Sequence, residues 1–171
     1  MIKSYTTQLQ HVFHMIGKQD EAIADSARLL AQALVGEGKI YVLANKRFSA
    51  LADTIVQNDD TLQGIERMTW QQTDEVSTAD RMLVLSDGAE TEDEASRLQS
   101  LLQTHIPLAF LGPGYPNLSF VEGIEEPIAI ITQSSPIVPA ADGSKCGYPT
   151  EIAIIYAYQA MMFELSEMTV D

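Results

Sequence analysis

Apolar residues recur every three to four positions near the start of the chain, and this spacing predicts two amphipathic helices. The first covers positions 2–16 and is interrupted by Gly17. The second carries its apolar face along 23–34 and is followed by Gly36 and Gly38, which are typical of a helix C-terminus. We therefore expect residues 1–36 to form N-terminal helices ahead of the first strand.

The rest of the chain alternates continuously apolar stretches with helical patterns. Buried strands are predicted at 39–44, 80–86, 107–112 and 127–132, with a weaker candidate at 65–70. Helices are predicted at 49–57 and 91–103, and a last helix begins near Pro149, after a loop at 133–148 rich in Pro, Gly and Ser. Strands that are apolar on both faces lie between two layers of helices. The pattern predicts an α/β fold, a three-layer α/β/α sandwich around a parallel five-stranded sheet.

Length and composition fit a single domain over residues 1–171. The chain is 46% apolar and 20% charged, which favours a globular fold over disorder. Because Cys146 is the sole cysteine, no internal disulfide can form, and a reducing compartment is expected. Positions 1–10 carry no apolar signal-peptide core, so we expect a cytoplasmic protein.

Charge and hydropathy argue against two classes of partner. The formal net charge of -14 repels nucleic acid and anionic lipid, and the sequence has no basic stripe. The longest nearly apolar run, Ile152 to Phe163, is shorter than the ~20 residues that cross a bilayer. We expect neither nucleic acid nor a membrane as a partner. An anion remains a candidate ligand wherever the chain supplies local positive potential.

The loop after strand 80–86, "SDGAET", has the features of an anion site and also those of a helix cap. Small residues leave backbone N–H groups free, Ser86 and Thr91 add hydroxyl groups, and the dipole of the next helix favours negative charge. However, Thr91 and Glu94 fit a capping box, and the acids after Thr91 satisfy the same dipole without a ligand. Both interpretations stay open, and they are compatible.

The loop after strand 39–44, "ANKRFSA", contains Lys46 and Arg47, the only adjacent basic pair in the chain. Ligands of open α/β sheets bind beyond the carboxyl ends of the strands. The pair therefore lies where a ligand is expected, although a solvated surface pair would have the same sequence.

Together the two loops resemble those of the sugar isomerase (SIS) domain family. "AIADSARLLAQALVGEGKIYVLANKRFSALADTIV" is similar to that family's helix, strand, loop and helix, and "DRMLVLSDGAETEDEASRLQSLLQTHIPLAFLG" to its second half. "PIAIIT" and the C-terminal helix complete the outline, and the layout is most similar to the phosphoheptose isomerase branch. The resemblance implies a flavodoxin-like sheet and a sugar-phosphate ligand. It implies either an aldose–ketose isomerase or a non-catalytic relative.

The resemblance also implies which residues contact the sugar phosphate. They are Ser86, Gly88, Ala89, Glu90 and Thr91 on one side, and Asn45, Lys46, Arg47 and Ser49 on the other. The sequence departs from the family pattern because Gly88 replaces a second serine, Ala89 replaces a glycine, and Ser49 falls one position late. We expect Lys46 and Arg47 to replace the lost donors, since Arg can bind phosphate through two parallel hydrogen bonds.

Catalytic residues find weaker support in the sequence. Polar positions of the family's C-terminal helix, two histidines and a Gln-Glu pair, align with apolar residues: Ile152, Ala153, Ile155 and Ala160. The remaining candidates for a base are Asp59, or its neighbour Asp60, and Glu151, for which a surface carboxylate is the favoured alternative.

The other ionisable and sulfur-containing side chains give no metal or cofactor motif. His11 and His14 have the spacing of a helical metal site but lack a third ligand, so a helix surface is the favoured interpretation. His105 is interpreted as a loop residue, and Met161 and Met162 as packing residues. We expect no metal and no cofactor.

The last helix, 149–168, is apolar almost all round and must be covered on every side. One side can face its own sheet, and a second subunit is expected to cover the other, giving a homodimer or homotetramer. Three function classes remain: an isomerase, a sensor that binds a sugar phosphate without turnover, and an oligomerising protein with an empty ancestral pocket. The missing helix histidines favour the sensor over the isomerase.

Overall fold

The computed structural model of the chain describes residues 1–119, 122–123 and 126–170. Its helices are α1 (Ile2–Gly17), α2 (Asp20–Val35), α3 (Ser49–Val56), α4 (Glu92–Gln103) and α5 (Thr150–Thr169). Its strands are β1 (Ile40–Ala44), β2 (Ile65–Arg67), β3 (Arg81–Asp87), β4 (Leu108–Gly114), β5 (Ile128–Ile131), β6 (Val138–Pro139) and β7 (Lys145–Cys146). Short 3-10 turns occur at Lys46–Phe48 and Trp70–Glu75.

Strands β1 to β5 form one parallel sheet in the order β2-β1-β3-β4-β5. This is the flavodoxin-like order, and it confirms the predicted α/β fold. From β1 the chain continues to β2 on one side, whereas from β3 it continues to β4 and β5 on the other side. The connections that leave β1 and β3 therefore diverge to opposite faces of the sheet. A crevice is therefore expected beyond the carboxyl ends of β1 and β3.

Side chains of successive residues along β3 enter two separate cores, one on each face of the sheet. Leu83 and Leu85 belong to the larger core, which is shared with α1, α2, α3 and α5. Met82 and Val84 belong to the smaller core, which contains Leu98 of α4. This alternation, two residues per repeat, produces the three predicted layers.

Two predicted segments differ from the structure. The strand predicted at 65–70 ends at Arg67, because a 3-10 turn that is capped by Thr69 begins at Trp70. The segment predicted as a loop at 133–148 contains the β6–β7 hairpin, which is a correction. Its turn is closed by an Ala140 N–H to Ser144 O hydrogen bond of 2.8 Å, and Asp142 accepts the Ser144 N–H at 3.0 Å.

Gly112 lets β4 approach the end of β3. A Cβ at this position would lie 1.9 Å from the carbonyl oxygen of Ser86, and the backbone φ of +148° is one that side chains rarely adopt. The close contact that Gly112 permits therefore helps to position the end of β3, from which the loop that begins near Ser86 departs.

Helix α5 packs on α2 and α1 but keeps an apolar stripe exposed. Ile152, Ile155 and Tyr156 are each about 40% exposed and Phe163 is 62% exposed. Tyr156 stacks on Phe13 of α1, with ring centroids 4.3 Å apart. Met161 and Met162 are buried in the core, which confirms their predicted packing role. In the monomer, α5 is thus covered on only part of its circumference.

No helix in the described part of the chain combines the length and the apolar character needed to cross a membrane. His11 and His14 lie on the exposed surface of α1, and His105 is exposed in the turn between α4 and β4.

Candidate functional site

The loop after β1 exposes two basic side chains that lie between two buried residues. The Asn45 side chain accepts a hydrogen bond from the Phe48 N–H at 3.4 Å and so caps the 3-10 turn Lys46–Phe48. Asn45 and Phe48 are buried, whereas Lys46 and Arg47 are exposed. The turn therefore holds two cations at the carboxyl end of β1.

The loop after β3 is braced by its own side chains. Ser86 is fully buried, and its hydroxyl oxygen accepts the Gly88 N–H at 3.0 Å. Asp87 accepts the Ala89 N–H at 3.0 Å. Gly88 has a φ of +84°, where a side chain would be strained, which explains a glycine at the position where the family pattern has serine.

Thr91 caps α4. Its hydroxyl oxygen accepts the Glu94 N–H at 3.2 Å, which is one half of the predicted capping box. The reciprocal bond from the Glu94 side chain is absent from the hydrogen bonds of the described residues. The N–H groups of Glu92 and Asp93 have no hydrogen-bond partner within residues 1–119, 122–123 and 126–170. Their partial positive charge faces the start of the helix.

The two loops enclose an open cleft of about 540 Å³. It is lined by Asn45, Lys46, Arg47, Asp87, Ala89, Thr91 and Glu94. Five of the residues proposed from the sequence are thus brought together: Asn45, Lys46, Arg47, Ala89 and Thr91. The cleft lies beyond the carboxyl ends of β1 and β3, where the strand order reverses.

Asp87 joins the two loops and was missed in the sequence. Its carboxylate accepts a hydrogen bond from the Asn45 side-chain amide at 2.5 Å and lies 3.5 Å from a guanidinium nitrogen of Arg47. Arg47 also donates to the Thr150 hydroxyl at 3.5 Å, so the start of α5 reaches the same place. An acidic residue directly after Ser86, opposite a basic pair in the loop after the neighbouring strand, was the signal that could have identified it.

The side-chain charges of the cleft are balanced. Lys46 and Arg47 are opposed by Asp87 and Glu94. The pair of Arg47 with Asp87 is long at 3.5 Å, and because Arg47 is 45% exposed and Asp87 only 16% exposed, solvent and salt screen the pair only in part. A phosphate entering the cleft would therefore find both attractive and repulsive groups within reach.

Glu90 is a half-buried residue whose carboxylate is turned into the protein. Both carboxylate oxygens are shielded from solvent, and neither has a hydrogen-bond partner in the described part of the chain. Burial raises the pKa of Glu90, and the nearby Ser86 hydroxyl offsets this only in part. The negative charges of Asp87 and Glu94 raise the pKa further.

The other residues proposed from the sequence lie outside the cleft lining. Ser49 accepts a hydrogen bond from Arg67 at 3.1 Å, so its hydroxyl is engaged on the far side of the turn. Ser86 is buried beneath its loop, and Gly88 is exposed next to Tyr115. Glu90 is likewise outside the cleft lining, and its carboxylate oxygens are shielded from solvent.

The candidate bases also lie elsewhere. Asp59 and Asp60 are exposed after the end of α3, and Asp60 accepts a hydrogen bond from Gln159 of α5 at 3.2 Å. Glu151 is exposed in the first turn of α5. None of the three lines the cleft.

Two further cavities are less suited to an anion. One of about 250 Å³ lies at the amino ends of β4 and β5, next to His105 and Ile128. The other, of about 390 Å³, lies beside α4, where the guanidinium of Arg97 is already paired with Asp74 and Asp93. Neither is lined by residues that directly follow a strand of the sheet.

Comparison with known proteins identifies the family. The family model described as "Domain of unknown function (DUF2529)" matches residues 1–169. The chain belongs to this family. It is 28% identical to "Uncharacterized protein YwjG" of Bacillus subtilis (strain 168) over 98% of this chain and 97% of that protein.

Solved structures share the fold at low sequence identity. A phosphoheptose isomerase from Francisella tularensis is 14% identical, with a TM-score of 0.67 over 97% of this chain and 96% of that one. The sugar isomerase domain of the RpiR transcription factor from Sphaerobacter thermophilus is 13% identical, with a TM-score of 0.63 over 97% and 89%. The fold is therefore SIS-type and is found both in phosphosugar isomerases and in a regulator.

The C-terminal helix has apolar residues at the four positions that align with polar residues of the phosphoheptose isomerase branch. Ile152 and Ile155 are exposed on α5, Ala153 is buried and Ala160 is half-buried. None of them lines the cleft, which α5 approaches through Thr150.

Proposed function

We propose that this protein binds a sugar phosphate in the cleft between the loops after β1 and β3, and that it does so without isomerising the sugar. The proposal rests on one observation: a basic pair lies beside a helix N-terminus at the point where the strand order reverses. The SIS-type fold of a phosphoheptose isomerase and of an RpiR regulator supports the choice of ligand.

The phosphate would be held by charge and by backbone donors together. Lys46 and Arg47 supply positive charge, and the free N–H groups of Glu92 and Asp93 point from the start of α4. Thr91 accepts the Glu94 N–H through its oxygen, so its hydroxyl hydrogen remains available to a phosphate oxygen. Capping and phosphate binding are thus compatible at the same threonine.

The absence of turnover is proposed from the chemistry that isomerisation requires. Moving a proton between adjacent carbons needs a base within hydrogen-bond reach of the substrate. The four aligned positions of α5 are apolar, and Asp59, Asp60 and Glu151 lie outside the cleft. An aldose–ketose isomerase remains the alternative, because the carboxylates of Asp87 and Glu94 do line the cleft.

The test is a thermal-shift panel of five-, six- and seven-carbon sugar phosphates, with the unphosphorylated sugars as controls. A ligand present at 100 times its Kd stabilises the native state by about 2.7 kcal/mol, which raises the Tm by roughly 5–10 °C for a chain of this size. NMR of the bound ligand then checks for ketose–aldose conversion, which we expect to be absent. If no sugar phosphate raises the Tm, the ligand assignment fails. Conversion at enzymatic rates would favour the isomerase.

We also propose that a second copy of the chain covers the apolar stripe of α5. Ile152, Ile155, Tyr156 and Phe163 lie on one side of the helix, and leaving such groups in water costs about 25 cal/mol per Å². Light scattering at micromolar concentration is expected to give a dimer or tetramer, and a monomer would contradict this. A cytoplasmic location without nucleic-acid or membrane partners remains our expectation from composition.

A further inference from the structure

The Asp87 carboxylate lies among the groups that would hold a phosphate. One oxygen accepts hydrogen bonds from the Asn45 amide at 2.5 Å and from the Ala89 N–H at 3.0 Å. The other lies 3.5 Å from Arg47. An amide, a backbone N–H and a guanidinium form the kind of donor set that proteins use to bind oxyanions. In this structure, the protein's own carboxylate fills that position.

The side chain is placed to compete with a ligand. Only 16% of the Asp87 side chain is exposed, so solvent screens its charge only in part, whereas Arg47 is 45% exposed and already lines the cleft, where it can reach a ligand. Within residues 1–119, 122–123 and 126–170, Arg47 is paired with Asp87 and Lys46 forms no salt bridge, so Arg47 is the cation on which Asp87 and a phosphate would converge. Two anions cannot share these donors without strong repulsion.

We propose that Asp87 is an internal competitor for anions, and that a phosphate binds by displacing its carboxylate from Arg47 and the Ala89 N–H. The inference rests on the proposed function for the identity of the ligand, but its mechanism concerns any phosphate. Competition with Asp87 would then weaken the binding of phosphate alone, so a ligand would need additional contacts through its sugar to bind tightly.

The test is calorimetric titration with inorganic phosphate at low ionic strength. The Asp87→Asn variant retains an oxygen that can accept from Asn45 and Ala89, so the fold should persist, and circular dichroism checks it. We expect its Kd for phosphate to fall by about tenfold relative to the wild type. The matched control is Glu37→Gln, which removes one exposed charge ahead of β1, outside the cleft lining and away from the start of α4. Its Kd should stay within about twofold.

A second variant identifies the cation that is released. The double variant Arg47→Ala/Asp87→Asn should not show the lower Kd for phosphate, because it lacks the guanidinium that Asp87→Asn frees. The inference is overturned if folded Asp87→Asn binds phosphate no more tightly than the wild type, or if Glu37→Gln gains as much. Because the probe is inorganic phosphate, these outcomes are independent of the sugar-phosphate panel. Tighter phosphate binding by Asp87→Asn, with no sugar phosphate bound by the wild type, would support the inference and remove the proposed function.

Discussion

The loops after β1 and β3 lie side by side at the same edge of the sheet, but they contribute opposite charges. The β1 loop is a short 3-10 turn on a buried Asn45 and Phe48, and its exposed side chains are Lys46 and Arg47. The β3 loop bends at Gly88 and supplies carboxylates, with Asp87 in the cleft and Glu90 turned inward. The difference shows that the cleft is not simply electropositive. We therefore expect its affinity for an anion to depend on how the two loops share their charges.

The largest effect is expected from removing the side-chain hydrogen bond that links the two loops. Asn45→Ala removes both the cap on Phe48 and the amide that reaches Asp87. Since Asn45 is buried and one of its partners is charged, we expect a loss of about 2–3 kcal/mol in the free energy of unfolding, measured by urea denaturation.

Thr91→Ala is the matched reference for that change. It also removes a capping side chain, but the residue is exposed and makes no bond to the other loop. We expect a loss of about 1 kcal/mol. If Asn45→Ala costs no more than Thr91→Ala, the link through Asp87 does not contribute to stability.

A smaller effect concerns the inward carboxylate of the β3 loop. Because the pKa of Glu90 is raised in the folded state, the folded protein holds a proton that the unfolded chain releases at lower pH. The favourable contribution is present below the unfolded pKa and is lost as pH rises through the folded pKa. Glu90→Gln cannot ionise, so it should raise the Tm at pH 7 by roughly 2–4 °C.

The pH dependence makes this prediction specific. The difference in Tm between Glu90→Gln and the wild type should shrink as the pH falls towards the ordinary glutamate pKa of 4.5. Glu92→Gln, an exposed change in the same segment, should leave the Tm within about 1 °C. A Tm gain for Glu90→Gln that is constant from pH 4 to pH 7 would indicate packing instead of ionisation.

The sheet and its helices could be predicted from the sequence because β1, β3, β4 and β5 each contain a short apolar run, and stretches with helical periodicity lie between most of the strands. Strand 80–86 was predicted within one residue of β3, and 91–103 within one residue of α4. The β6–β7 hairpin was missed because its strands are only two residues long, although Asp142-Gly143 is a known hairpin signal.

The candidate site was predictable only where it depends on strand ends. The positions of Asn45, Lys46 and Thr91 follow from the carboxyl ends of β1 and β3, which the apolar pattern indicates. The orientation of side chains does not follow from that pattern. Ser49 is bound by Arg67, and Asp87 meets Asn45, through tertiary contacts between distant parts of the chain.

The central claim, an anion site that depends on the basic pair of the β1 loop, is tested most directly by calorimetry. The wild type is titrated with the tightest sugar phosphate of the panel and compared with Lys46→Ala/Arg47→Ala. Lys3→Ala/Lys18→Ala is the control, since it removes the same charge from exposed positions at the two ends of α1. We predict about 100-fold weaker binding for the cleft variant and a change within about twofold for the control. Unchanged affinity of the cleft variant, or equal weakening of both variants, would contradict the claim.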